Sequence, residues 1–180
     1  MLKKTLRKKI LVYRKNNYKF VNLKYDLLRD ILKKFSTLKN NKIGAYFPIN
    51  YEIDCLSIIK QLEKSGYKIS LPITRKGNKM DFYEWSSKDP LLVGKIGIPE
   101  PISKKKIYPD VLLVPLVAFN KNKFRLGYGG GYYDRYIQKI KNIKKILTIG
   151  MAFSFQEVKM IPINKNDQKL DLIFTEKYIK

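Results

Sequence analysis

Two short apolar runs on either side of one amphipathic helix constrain the fold of this 180-residue chain more than any other feature. The first, KIGAYFP (Lys42–Pro48), reads as a short buried strand ended by proline. INYEID follows as a loop. Cys55, Ile58, Ile59 and Leu62 then recur at helical spacing, with Asp54 as the N-cap and Ser65 and Gly66 as the stop. YKISLP (Tyr67–Pro72) is the next strand. A strand, a helix and a strand at this spacing make a βαβ unit, which pairs its strands in parallel through a right-handed crossover. Further strands are predicted at Met80–Trp85, where apolar and polar residues alternate, at Asp110–Phe119, at Ile146–Phe153 and at Leu170–Thr175. Helices are predicted over Leu2–Asn16, along the stripe Leu2, Leu6, Ile10 and Tyr13, and over Val21–Leu38, with Leu27, Leu28, Ile31 and Phe35 facing the core. LLVGKIGIPEP, rich in glycine and proline, is predicted to be irregular. With no internal repeat and no dividing linker, the pattern is α/β: a single three-layer α/β/α domain over residues 1–180 around a mostly parallel, Rossmann-like sheet.

The stretch RLGYGGGYYD (Arg125–Asp134) sits between the apolar run DVLLVPLVAF and a helical pattern carrying Tyr133, Tyr136, Ile137 and Ile140. Its four glycines, Gly127, Gly129, Gly130 and Gly131, let the backbone turn its N–H groups inward, where a phosphate can sit on them and on the following helix N-terminus. Arg125 adds a fixed positive charge, and Asp134 a carboxylate suited to a metal. Neither common phosphate loop is present: there is no G-x-x-x-x-G-K-[ST], and Tyr132 stands where G-x-G-x-x-G needs its last glycine. Glu52 lies in the loop after the first strand, at the carboxyl edge where open α/β sheets bind ligands. Taken alone, Glu52 reads as a surface turn residue, Phe47 as core, and the pair Lys3 and Arg7 as a solvated basic face.

Composition narrows the chemistry. With 44% hydrophobic and 13% aromatic residues, the chain is too apolar for a disordered polycation. No signal-peptide pattern or bilayer-length apolar run is present, which suggests a cytoplasmic protein. Cys55 is expected in the core. The absence of histidine excludes Cys/His catalysis and histidine general bases. Lys plus Arg number 38 against 15 Asp plus Glu, a net charge of +23 that attracts any polyanion. Because the lysines are spread along the chain, they read as a solvated surface, not a nucleic-acid footprint.

Together with the preceding VPLVAFN, RLGYGGGYYD resembles the signature of the 5-formyltetrahydrofolate cyclo-ligase family, also called 5,10-methenyltetrahydrofolate synthetase. The resemblance extends to the K-x-x-x-R arrangement Lys3–Arg7, with Lys4 as a possible alternative register, and to Glu52 following Tyr46. IPEP (Ile98–Pro101) is similar to the family's segment lining the folate side, and Pro162, Asn164, Asp167 and Asp171 to its P-x-N-x-x-D-x-x-x-D context. Two positions depart from commoner members: Asn120 stands where aspartate is frequent, and Gly130 where some carry lysine.

The resemblance implies ATP-dependent closure of 5-formyltetrahydrofolate to 5,10-methenyltetrahydrofolate with release of ADP and phosphate. It further implies that Lys3, Arg7, Arg125, Leu126, Gly127, Tyr128, Gly129, Gly130, Gly131, Tyr132 and Tyr133 contact ATP. Asp134 and Asp171 would hold Mg²⁺, Phe47 and Glu52 the pterin, and Tyr128 and Tyr132 the junction between the ligands, with Arg125, Tyr132 and Asp134 nearest the chemistry. Small molecules, not nucleic acid or membrane, are the expected partners of a monomer. Two rival readings are a different small-molecule kinase or ligase, which would release a stable phosphorylated product, and a nucleic-acid-binding module.

Overall fold

The structure, a computed structural model, describes residues 2–35 and 42–180. The chain runs α1 (Lys3–Asn16), α2 (Tyr25–Lys34), β1 (Lys42–Gly44), α3 (Leu56–Lys64), β2 (Lys68–Arg75), β3 (Lys79–Glu84), β4 (Leu91–Val93) and β5 (Pro99–Pro101). It continues through β6 (Lys106–Ile107), β7 (Val111–Pro115), β8 (Ala118–Phe119), β9 (Arg125–Leu126), α4 (Tyr132–Lys141), β10 (Leu147–Met151) and β11 (Leu172–Phe174). Seven strands form one sheet in the order β11-β10-β7-β1-β2-β3-β6. Its first five members pair in parallel, while β3 and β6 extend it antiparallel. β1 and β2 are joined through α3 in parallel register, Ile43 opposite Ile69, as the βαβ pattern requires.

Strand alternation explains the three layers, because successive side chains leave a strand on opposite faces. On β7, Val111 and Leu113 point to the side covered by Leu28 and Leu32 of α2 and by Ile58, Ile59 and Leu62 of α3. Leu112 and Val114 point to the other side, where Tyr136, Ile137 and Ile140 of α4 meet Phe82 and Ile173. Helix α1 packs Leu6 and Ile10 against Val117, Ala118, Leu126 and Ile161 in a third, smaller cluster. No helix among the described residues is long and apolar enough to cross a membrane.

Several expectations are corrected. Helix α2 is shorter than Val21–Leu38, and Leu38 lies outside the described residues. Its buried positions are Leu28 and Leu32, whereas Leu27 and Phe35 are exposed, because the face is set by a four-residue step from Leu28. The stripe of α1 is Leu6, Ile10 and Arg14, leaving Leu2 and Tyr13 exposed. LLVGKIGIPEP is not irregular: β4 and β5 pair as a hairpin turning at Gly94–Gly97. The long run Asp110–Phe119 divides into β7 and β8, and β8 pairs with β9 in a small ribbon that delivers the chain to the glycine stretch. Asp54 does not occupy the cap position itself; Cys55 does, while the Asp54 carboxylate accepts the Leu56 N–H at 2.8 Å.

Candidate active site

A cleft of about 480 Å³ opens at the carboxyl edge of the parallel strands, within the size range of small-molecule sites. Pro115 at the end of β7, Tyr46 and Phe47 beyond β1, and Pro72 and Thr74 of β2 form its floor. One wall is the whole run Arg125–Asp134, a second is Lys3 and Arg7 of α1, and a third is Ile96, Ile98 and Glu100 of the β4–β5 hairpin. Asn164, Asn166 and Asp167 complete the rim. With one exception, every residue implicated from the sequence lines this cavity.

Among the described residues, the glycine stretch leaves its backbone donors without partners. Gly129 has φ +112° and Gly131 φ +65°, backbone states that side chains disfavour. No backbone N–H from Gly127 to Gly131 donates to an acceptor among the described residues, so these donors are free for a ligand. Gly131 is the N-cap of α4, which puts the positive end of that helix beside them. The Arg7 Nε donates to the Gly127 carbonyl at 2.7 Å, leaving its terminal nitrogens alongside Gly129, where an added Cβ would lie 3.5 Å from Nη2. Lys3 reaches across the cleft to Asp167 at 2.5 Å, so it, not the exposed Lys4, is the cleft lysine.

Arg125 is buried. Its Nη2 donates to Asp134 Oδ1 at 2.9 Å, and its guanidinium lies 5.9 Å from the Tyr133 ring centroid. The Gln168 N–H also donates to Asp134 Oδ1, at 3.0 Å. Asp167 uses Oδ2 for both Lys3 and the Asn164 N–H. Among the described residues, Asp134 Oδ2 and Asp167 Oδ1 therefore accept no hydrogen bond. Leu126 borders the cleft while its side chain packs into the α1 cluster.

Asp171 is the exception. It lies at the opposite, amino edge of the sheet, where its Oδ2 accepts the Thr148 N–H at 2.8 Å and the Thr148 hydroxyl at 2.7 Å. That pairing fastens the start of β11 to β10 and takes Asp171 out of reach of Asp134. Of the carboxylates in the P-x-N-x-x-D-x-x-x-D context, Asp167 is the one in the cleft.

At the other end, Glu52 is buried, and its Oε2 accepts the Ile49 N–H at 2.9 Å. Burial pushes its carboxyl up to about 7, against the opposing pull of that N–H, Tyr128 and Arg14. Tyr128 is partly exposed, yet its hydroxyl accepts from Arg14, and burial pushes that phenol up. Phe47 is half-buried on the cleft wall, and Tyr132, the first residue of α4, also lines the cleft. Sequence reasoning missed Glu100, a buried carboxylate accepting the Thr74 N–H and hydroxyl, each at 2.8 Å. It also missed Arg14, whose only signal was a charged residue in the apolar stripe of α1. Asn120 is a turn former, its Oδ1 accepting the N–H groups of Asn122 and Phe124 in the β8–β9 ribbon.

Among the described residues no cluster of three potential metal-binding side chains exists. The pair Asp134 and Asp167 still fits Mg²⁺, which takes one or two carboxylates together with water and substrate phosphates.

Comparison with known proteins follows the same outline. The model of the 5-formyltetrahydrofolate cyclo-ligase family matches residues 1–176. A 5-formyltetrahydrofolate cyclo-ligase of Haemophilus influenzae is 33% identical over 135 residues, covering 71% of this chain and 72% of the relative. The NMR structure of an Aquifex aeolicus 5,10-methenyltetrahydrofolate synthetase superposes with a TM-score of 0.72 at 33% identity, covering 100% of this chain and 92% of that one. A 5,10-methenyltetrahydrofolate synthetase from Mycoplasma pneumoniae gives a TM-score of 0.71 at 26% identity, covering 98% and 99% of the two chains.

Proposed function

The chain belongs to the 5-formyltetrahydrofolate cyclo-ligase family, whose ATP-dependent reaction makes 5,10-methenyltetrahydrofolate, and we propose that the cleft performs that reaction by phosphorylating the formyl oxygen. The observation that carries the proposal is the union, in one cavity, of a donor-rich glycine stretch and an apolar slot ending in a buried carboxylate.

A formamide carbon is a poor electrophile and its oxygen a poor leaving group. In the proposed sequence the formyl oxygen attacks the γ-phosphorus, and the bond to the bridging oxygen breaks to release ADP. The N10 lone pair then attacks the activated carbon, N10 loses its proton, and phosphate departs carrying the former formyl oxygen. Little covalent help is required, only alignment and charge stabilisation, which suits a chain without histidine.

Lys3 and Arg7 hold the phosphates together with the free N–H groups of Gly127–Gly131. Arg125 orients Asp134 through their ion pair. Asp134 and Asp167 would hold Mg²⁺ through the carboxylate oxygens that accept no hydrogen bond among the described residues, and the ion would neutralise phosphate charge there. Ionised Glu52 accepts from the pterin N3–H and 2-amino groups, with Phe47 on the ring face. Tyr128 and Tyr132 border the point where formyl oxygen meets γ-phosphate and exclude water there. On this reading the protein acts on small molecules as a cytoplasmic monomer.

An isotope experiment tests the chemical step. Substrate labelled with ¹⁸O in the formyl group is expected to deliver the label to inorganic phosphate, one atom per methenyl product. Label appearing in water with unlabelled phosphate would remove the phosphorylated intermediate. A second reading, a kinase with a stable phosphorylated product, would leave the label in that product.

A further inference from the structure

Helix α1 carries Lys3, Arg7 and Arg14 at spacings of four and seven. The first two line the cleft, while Arg14 is 0% exposed. A buried guanidinium is costly unless its donors are matched, and among the described residues no carboxylate pairs with Arg14. Its bonds go instead to three different segments. Nη1 donates to the Leu116 carbonyl beyond β7 at 3.1 Å, and Nη2 to the Asn50 carbonyl at 2.8 Å and to the Tyr128 hydroxyl. The guanidinium also lies 5.7 Å from the Tyr128 ring centroid. Asn50 and Tyr51 have φ of 49° and 61°, an unfavourable left-handed pair that places Glu52 and persists only if the surroundings hold it.

We propose that Arg14 is a positioning residue that joins the two halves of the cleft, fixing the turn before Glu52 to the Tyr128 arm of the glycine stretch and supplying the positive charge that faces Glu52. This rests on the reading of Glu52 as the pterin ligand. The groups facing Glu52 come from four directions. Tyr46, Cys55 and the Ile49 N–H belong to its own segment, Tyr128 to the glycine stretch, Tyr133 to α4 and Arg14 to α1. Burial pushes Tyr46, Cys55, Tyr128 and Tyr133 up, so all four are neutral near pH 7. Arg14 is the one cation in this set, and its charge favours the ionised carboxylate, whose titration lies at about 7. Losing that charge moves the Glu52 titration upward.

The test is the pH dependence of kcat/KM for 5-formyltetrahydrofolate, with KM for folate and for ATP, in wild type, Arg14→Met, Arg14→Lys and Glu52→Gln. Wild type is expected to show an acid limb near pH 7. Arg14→Met should move that limb up by about one pH unit and raise the folate KM roughly tenfold, with a smaller change for ATP. Arg14→Lys keeps the charge but cannot reach all three acceptors, so its limb should stay in place while the folate KM rises. An unmoved limb in Arg14→Met, or an equal shift in Arg14→Lys, overturns the proposal. Glu52→Gln separates it from the reading beneath: a wild-type limb and folate KM there sink the pterin role of Glu52, whereas a lost limb there with an unmoved one in Arg14→Met sinks only the coupling. If Arg14→Met does not fold, Tyr128→Phe serves, since losing the hydroxyl that favours ionised Glu52 should also raise the limb, and an unmoved limb contradicts the coupling.

Discussion

Asp167 and Asp171 belong to one motif and stand at opposite edges of the sheet. Between them Gln168 gives its N–H to Asp134, Leu170 enters the core beneath α4, and the chain turns into β11. Asp167→Asn is therefore expected to weaken Mg²⁺ activation at least tenfold, measured by titrating the metal at saturating ATP. Asp171→Asn should leave that titration unchanged and lower stability by about 1 kcal/mol, through its bonds to Thr148, as read from denaturant unfolding. Spacing alone could not say which aspartate faces the cleft, because both fit the motif and only the path of the chain separates them. Arg14 was illegible for a related reason: in so basic a sequence one more arginine reads as surface, although its place in the stripe of Leu6 and Ile10 marks it as buried. Glu52 carries a stability prediction as well. Its folded value near 7 lies above the ordinary 4.5, so the fold favours the protonated form. That contribution is full below the ordinary value and is lost as pH rises through 7, a change of about 3 kcal/mol. With no histidine to titrate in the same window, the unfolding midpoint of ligand-free protein should fall from pH 5 to pH 8. In Glu52→Gln most of that slope should disappear.

The elements were more legible than the residues. Parallel strands, α1, α3 and α4 follow from hydrophobic period, since a buried strand and an amphipathic helix leave distinct patterns. The β4–β5 hairpin was hidden because its turn consists of Gly94–Gly97 and its partner strand is Pro99–Pro101, residues that argue against strands. What sustains it is packing: an added Cβ at Gly94 would lie 2.3 Å from the Glu100 carboxyl carbon. The glycine stretch was visible as a phosphate-binding candidate because its backbone needs glycine to turn donors inward. Gly129→Ala tests this at the level of the loop. At φ +112° a residue with a Cβ is strained, so the loop should shift and KM for ATP should rise at least tenfold while the folate KM changes little. An unchanged ATP KM would mean that the loop conformation does not matter to phosphate binding.

At the scale of the whole molecule, the three layers bring residues far apart in sequence to one site: Lys3 and Asp167 meet across 164 positions. Because the cleft is lined by α1, the β4–β5 hairpin, the glycine stretch and the Asn164–Asp167 turn, a ligand bound there as proposed should stabilise the fold as a unit. At a hundredfold excess over Kd, MgATP adds about 2.7 kcal/mol, roughly 5–10 °C in Tm for a domain of this size. No shift with MgATP would contradict the phosphate site. The charge of +23 is compatible with anionic substrates but did not reveal them, its lysines being spread along the whole sequence. The most direct measurement is a spectrophotometric assay of the purified protein with 5-formyltetrahydrofolate, ATP and Mg²⁺, following the near-ultraviolet band of the methenyl product together with ADP. A band that requires both substrates and Mg²⁺ and grows in step with ADP is expected; ADP release into a stable phosphorylated product, with no methenyl band, would rule out the ring closure.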